Sequence, residues 1–277
     1  MNIINAIINL VNNPITNVVS HYQSSNRANQ AGDALEEYVK DLFAGSFDSS
    51  ESERIKKHSE VFSYLGNNSN PPDVMLKQGD AIEVKKIENN NSALALNSSY
   101  PKAKLFSNSP MISKACREAE DWQEKDIIYV VGIVNKNSIQ HLAMVYGEDY
   151  CADEECYLRI KSTIKQGIEN IHGVEFSETK ELGRVNKVDP LGITYMRVRG
   201  MWGIENPWSV FQYLYKRNLD HSFNFMALIN ENKWNKFKNR DELLAINDEH
   251  LKITDVEIKN PNNPAKLKQA KLITYYL

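Results

Sequence analysis

The sequence predicts an α/β fold, a mixed β-sheet flanked by helices, within a single domain spanning 1–277. Two segments, 29–45 and 154–171, carry apolar residues at helical spacing between short strand-like runs. The run "DIIYVVGIV" at 126–134 is apolar enough to be a strand buried on both faces. The 277 residues are 42% hydrophobic and 25% charged, which allows a real core and excludes disordered, collagen-like and repeat architectures.

Taken in order, the first segment, "MNIINAIINLVNNPITNVV", is apolar but broken by Asn every few residues. It lacks a basic start and a small-residue cleavage site, so neither a secretory signal nor a membrane span is expected. "NQAGDALEEYVKDLFAG" predicts an amphipathic helix: Leu35, Tyr38, Val39, Leu42 and Phe43 form the apolar stripe and Gly45 the stop. Asp33, Glu36, Glu37, Lys40 and Asp41 occupy its other positions. A polar, charged stretch follows at 48–58, then a candidate strand, "EVFSYLG", ending in the loop "NNSNPP".

Next come two short apolar runs, 74–76 and 81–84, separated by "QGD", which is hairpin chemistry because Gly accepts positive φ. With a three-residue loop, Lys77 faces Ala81 and Asp73 lies opposite Lys85. Side chains alternate along a strand, so Asp73, Glu83 and Lys85 then share one face. A two-residue loop instead turns Asp73 to the other face.

Beyond the hairpin, "ENNNSALALNSSYPKAKLFSNSP" reads as a loop, followed by a helix over 111–122 and the buried strand. "HLAMVYG" is its expected antiparallel neighbour across "NKNS". "EECYLRIKSTIKQGIENI" predicts an amphipathic helix with Leu158, Ile160, Ile164, Ile168 and Ile171 on one face. Alternation in "GITYMRVRG" predicts strands, and Pro207 opens a helix through Lys216. A helix at 240–246 and two strand-like runs ending in "KLITYYL" close the chain.

Composition limits the chemistry. A net charge of −3 and a pI near 6.1 argue against a coat protein held to nucleic acid by bulk positive charge, yet one local basic face suffices for DNA. Cys116, Cys151 and Cys156 are an odd count, and "CADEEC" lacks a second pair or a nearby His, so neither a disulfide framework nor structural zinc is expected, and a reducing cytoplasm is. His141, His172 and His221 have no partners at ligand spacing. No Walker A sequence is present, so no nucleotide cofactor is expected.

Two carboxylates and an ammonium converging on one strand pair suit phosphodiester hydrolysis, which needs positive charge at the phosphate and an activated water. Asp73, Glu83 and the Val84 carbonyl are candidate ligands for Mg2+, with Lys85 serving the attacking water. Pro72-Asp73, nine residues, then Glu83-Val84-Lys85 resembles the PD-(D/E)xK nuclease motif. The order of elements around it is similar to that superfamily's restriction-endonuclease-like αβββαβ core, over about 30–145, with a carboxy-terminal elaboration. The wider chain resembles type II restriction endonucleases of the NgoPII kind in "GDALEEYVKDLF", "EVKKIENNNSALALNSSYPKAKL" and "MRVRGMWGIENPW".

That resemblance implies a homodimer, without a membrane anchor, that cuts double-stranded DNA at the palindrome GGCC between the inner G and C and leaves blunt 5′-phosphate ends. It also implies a companion methyltransferase. DNA-recognition and dimerisation elements are expected in 90–110 and 146–277. Next to the motif, Glu36 or Glu37 is a supporting acid, with Glu36 favoured because it follows apolar Leu35 as in related nucleases. Asp80 is a turn residue.

Asn97, Ser98, Ser99, Lys102 and Lys104 offer hydroxyls, an amide and cations to phosphates and base edges. Arg197 and Arg199 share a strand face and can fork onto guanine, or can form ion pairs instead. Trp202 and Trp208 are packing residues. Alternatives are a repair or junction-resolving nuclease of the same fold that reads DNA shape, and a DNA-binding protein without catalysis.

Overall fold

The computed structural model describes residues 1–24, 31–67, 70–179 and 181–277. Three helices, α1 (Ile3–Asn12), α2 (Val18–Ser24) and α3 (Ala31–Ala44), pack together on one side of a sheet. The asparagines that interrupt the first segment do not prevent helix α1. Asn2 caps it by accepting from the Ile4 N–H at 2.9 Å, and Asn9 donates to the Leu42 carbonyl at 2.7 Å. Leu35, Tyr38, Val39, Leu42 and Phe43 of α3 are all buried, each burial worth about 1.5–3 kcal/mol.

Most of the polar stretch at 48–58 belongs to a helix, α4 (Glu51–Val61), which also takes Glu60 and Val61 from the expected strand. Ser50 and Glu53 form a capping box at its start. Two of its three buried residues, Arg54 and His58, are polar and only Val61 is aliphatic, so it shows no hydrophobic period. They close on the buried Asp41 carboxylate, which accepts from Arg54 Nε at 2.9 Å and Tyr22 Oη at 2.8 Å, lies 3.0 Å from His58 Nε2 and also accepts from Ser46 Oγ. Burial alone would raise the Asp41 pKa, but the bonds from His58 and Ser46 and the charge of Arg54 outweigh it and hold the carboxyl below its ordinary value.

The strands β1 (Phe62–Asn67), β2 (Asn70–Leu76) and β3 (Ala81–Ile87) follow. The expected loop at 67–72 lies partly outside the described residues, and Pro71 and Pro72 belong to β2. Chain order continues with β4 (Leu94–Asn97), β5 (Lys104–Phe106), α5 (Lys114–Glu118), β6 (Glu124–Asn135), β7 (Ser138–Tyr146), α6 (Gly147–Tyr150) and α7 (Glu154–Glu169). Then come β8 (Glu175–Phe176), β9 (Gly183–Asn186), β10 (Met196–Val198), β11 (Trp202–Ile204), α8 (Pro207–Val210), β12 (Asn224–Asn230), α9 (Glu231–Trp234), α10 (Arg240–Leu244), β13 (Lys252–Asn260) and β14 (Asn263–Tyr276). The segment expected to be all loop thus holds two short strands. The helices expected over 111–122 and 207–216 are each a turn or so, started by Ser113 and Asn206 as caps.

The main sheet, nine-stranded among the described residues, runs β1-β2-β3-β6-β7-β12-β14-β13, with β5 against β6. β3/β6 and β7/β12 pair in parallel and the other pairs are antiparallel. One face (Ile82, Val84, Ile128, Val130) packs on α1 and α3; the other (Ala81, Ile127, Tyr129, Val131) packs on β4, α8 and the loops between them. At Gly132 a Cβ would come within 2.7 Å of the Leu35 side chain, so glycine lets α3 settle close to β6.

The β2–β3 register differs from the expected one by two residues. Met75 faces Ala81 and Val74 faces Ile82, leaving the five residues 76–80 as the connection. The positive φ falls on Gln78 (51°) rather than Gly79. Lys125 Nζ donates to the Gly79 carbonyl at 2.7 Å and Tyr146 Oη to Asp80 Oδ2 at 2.8 Å, so Asp80 also anchors the loop to the sheet.

Helix α7 has the expected apolar face, but Leu158, Ile160, Ile164 and Ile171 are exposed; Ile168 rests on Gly183. On the second sheet face, His141 is 3% exposed and 5.8 Å from the Trp208 ring. Arg217 covers that ring at 4.8 Å and donates to the Asn90 carbonyl at 3.0 Å. Among the described residues His141 Nδ1 has no hydrogen-bond partner, and burial together with the Arg217 charge pushes the imidazole down to about 4.

Candidate active site

Because a two-residue change of register keeps side-chain parity, Asp73, Glu83 and Lys85 still share a face, the one carrying Met75, Ala81 and Tyr129. Extending the observed register puts Asp73 opposite Glu83 instead of Lys85. Asp73 Oδ2 accepts from the Val84 N–H at 2.6 Å, and Lys85 Nζ donates to Glu83 Oε1 at 2.5 Å. The other Glu83 oxygen is buried and, among the described residues, has no hydrogen-bond partner. Gly66 of β1 fixes the strand carrying Asp73: a Cβ there would lie 2.5 Å from the Asp73 carbonyl oxygen and 2.6 Å from that of Pro72.

The electrostatics follow from this crowding. Burial, then the neighbouring Glu83 charge, drives the Asp73 carboxyl up to about 7, against the partial relief of Lys85 and the Val84 N–H. Burial would lower the Lys85 pKa, but Glu83 and Asp73 more than offset it, so the ammonium is held above its ordinary value. Glu36 is raised chiefly by burial and lies within electrostatic reach of both Lys85 and Asp73. Glu37 is instead bound by Lys40 at 2.7 Å and by Arg54.

The three residues open onto a cleft of about 150 Å³ that is also lined by β4 and the segment after it. Asn97, Ser98, Ser99 and Lys102 line it, with Asn70, Tyr100, Met111 and Tyr129. Lys102 Nζ donates to Ser99 Oγ at 2.6 Å, and the Lys102 N–H donates to Tyr129 Oη at 2.8 Å. Tyr129 carries that segment on the central strand, a role missed in the sequence. Its signal there was a phenol inside an aliphatic run, which needs a polar partner once buried.

Other expected site residues lie outside the cleft lining. Lys104 pairs with Glu124 at 2.7 Å and borders a neighbouring cavity with Asp153, Glu154 and Glu155. Arg197 and Arg199 are exposed and both grip Glu181, at 2.6 and 2.7 Å. Trp208 is buried packing, and Trp202 packs edge-on against Tyr100 and Tyr157. All three cysteines are free. Among the described residues no group of three or more His, Cys, Asp or Glu is gathered to hold a metal, and no helix is long and apolar enough to cross a membrane.

The family model for the NgoPII restriction endonuclease matches residues 1–259. The type II restriction enzyme NgoPII of Neisseria gonorrhoeae is 70% identical over 278 residues, covering the whole of both chains. No solved structure matches the chain. With a family match across nearly all of its length and a relative this similar end to end, the chain belongs to the NgoPII restriction endonuclease family and is a type II restriction enzyme.

Proposed function

We propose that the enzyme hydrolyses double-stranded DNA at the palindrome GGCC, between the inner G and C, using magnesium and leaving blunt 5′-phosphate ends. The observation that carries the hydrolytic reading is the side-by-side placement of Asp73 and Glu83 with Lys85 at a cleft. The cut site rests on the family resemblance. The donor set fits magnesium: two neighbouring carboxylates, one with a buried unpartnered oxygen, plus the Val84 backbone carbonyl. Few protein ligands suit a hard ion that keeps its own waters, and the set lacks the Cys and His that zinc favours.

Asp73, Glu83 and Val84 would hold the ion, which when bound supplies positive charge to the phosphate and the leaving oxygen. Lys85 orients the attacking water and offsets developing negative charge. Glu36 supports that ammonium from α3. Asn97, Ser98 and Ser99 contact the DNA strand entering the cleft. Lys104, Arg197 and Arg199 meet it farther out, the two arginines exchanging Glu181 for guanine edges. A two-fold palindrome calls for a two-fold dimer, so the working unit is a homodimer in the cytoplasm, where three free thiols are at home.

The test incubates unmethylated plasmid and magnesium with the protein and with its Asp73→Ala and Lys85→Ala variants, then sequences the fragment ends. Blunt ends at GGCC, lost in both variants, are expected. Cutting of branched duplexes alone would replace this reading with a junction-resolving nuclease, and binding without cutting with an inactive DNA-binding protein. Sedimentation at twice the chain mass of 31.7 kDa is expected for the dimer.

A further inference from the structure

We propose that Lys102, together with Ser99, is the binding site for a non-bridging oxygen of the phosphate being cut, a second cation lining the same cleft as Lys85. The proposal rests on the nuclease reading of the cleft and adds to it a role for the segment after β4. Lys102 is 8% exposed. Other buried cations have carboxylate partners: Arg54 holds Asp41 at 2.9 Å, Lys125 holds Glu120 and Lys233 holds Asp126. Among the described residues Lys102 has only neutral ones, the Ser99 hydroxyl at 2.6 Å and the Tyr100 carbonyl at 3.4 Å.

A buried ammonium with no carboxylate in direct contact among the described residues is costly. Burial lowers the Lys102 pKa, and the Glu83 and Glu154 charges offset that only in part. Its position is nevertheless firmly built. Tyr129 Oη accepts from its N–H at 2.8 Å. Gly147 lets its carbonyl sit where a Cβ would be only 2.4 Å away. The Tyr100 hydroxyl binds Glu154, and its ring stacks on Tyr157 at 5.8 Å.

The ligand follows from the chemistry of the cleft. A phosphodiester that approaches Asp73 and Glu83 meets two carboxylates, so a fixed positive donor beside them offsets that repulsion most as charge builds on its oxygens in the transition state. Lys104, two residues on, is unsuited: it is solvent-facing and already held by Glu124 at 2.7 Å and Asp126 at 3.7 Å. No proton leaves Lys102 in this role. It is a fixed charge with a hydroxyl beside it.

The experiment compares Lys102→Met, Lys102→Arg, Asp73→Ala and the unaltered enzyme, all as full chains. Cutting is followed in single turnovers with enzyme in excess over DNA, across enzyme concentrations that give the maximal rate and the half-saturating concentration, and DNA-free thermal midpoints are measured alongside. Lys102→Met is expected to cut about 100-fold more slowly, with the half-saturating concentration changed by less than about threefold because its contact forms mainly in the transition state. Its thermal midpoint should be unchanged or higher, because a buried unpaired charge is gone. Lys102→Arg should recover part of the rate.

A neutral methylphosphonate at the mapped cut position should slow the unaltered enzyme and add little to the Lys102→Met defect. Lys102→Met cutting within threefold of the unaltered enzyme, while Asp73→Ala is inactive, would overturn the proposal and leave the nuclease reading intact. So would a lowered midpoint in which Lys102→Arg is as slow as Lys102→Met, since that marks a structural lysine. Cutting by Asp73→Ala would remove the nuclease reading of this cleft and the proposal with it.

Discussion

Replacing His141 by phenylalanine keeps a ring against Trp208 and removes the imidazole that faces Arg217. The folded imidazole titrates at about 4 because it is buried and faces Arg217, whereas its ordinary value is 6.5. Between those two values the unfolded chain binds the proton and the folded chain does not, so stability is full above pH 6.5 and is lost as the pH falls toward 4. Each pH unit in that window is worth about 1.4 kcal/mol, so lowering the pH from 7.5 to 5 costs the fold about 2 kcal/mol through this residue. For a chain of this size that is about 4 °C in thermal midpoint.

The assay is a pair of thermal or urea melts, at pH 7.5 and pH 5, for the unaltered protein and the variant. Other groups titrate in both, so the quantity of interest is the difference of differences. The unaltered protein should lose about 2 kcal/mol more than His141→Phe on acidification. Equal losses in the two proteins would refute the reasoning and mean that His141 is protonated in the fold without penalty.

Gly66→Ala should push a methyl against the Asp73 and Pro72 carbonyls, lowering stability by about 1–3 kcal/mol and cutting by more than tenfold; melts and single-turnover rates check both, and an unchanged rate would show that Asp73 is not held from β1. Glu36→Gln should slow cutting with little change in stability, whereas Glu37→Gln should cost about 2 kcal/mol by loosening Arg54 while leaving the rate near normal. The reverse pattern would exchange their roles. Arg197→Ala and Arg199→Ala should each weaken binding to a GGCC duplex by about 1–3 kcal/mol and relax base selectivity. Equal affinity in a titration would leave both as ion-pair partners of Glu181.

The central sheet and the acidic hairpin were legible because their signals are local. A continuous apolar run at 126–134 has no solvent-facing alternative, and the Asp73, Glu83 and Lys85 spacing depends only on parity. Less legible were elements whose inward side chains are polar. Helix α4 turns Arg54 and His58 to the core, so the hydrophobic period that reveals α3 is missing, and its capping box at Ser50 and Glu53 was the remaining signal. In α1 the asparagines that looked like interruptions are a cap and polar-face residues.

Local signals also carry no information about what a long-range pairing brings near. That Lys102 shares a cleft with Glu83 follows from β3 lying parallel to β6, which places Tyr129 opposite Glu83 and under the 100–103 segment. Lys102 and Lys104 look equivalent in "YPKAKL", and only the fold separates a buried cation from a solvated one.

The hairpin between β2 and β3 also sets a rule for how its own length can change. Its five-residue connection and the three-residue one expected from sequence deliver Glu83 and Lys85 to the same side of the sheet, since they differ by an even step. A slip of β3 by two residues keeps Glu83 and Lys85 on the cleft side, while a slip by one would turn them toward α3 and bring Ile82 and Val84 to the cleft; the seven pairs between β3 and β6 hold the strand against either. Change in the connecting loop is thereby uncoupled from the face of the strand, so its length can vary while the proposed site keeps its orientation.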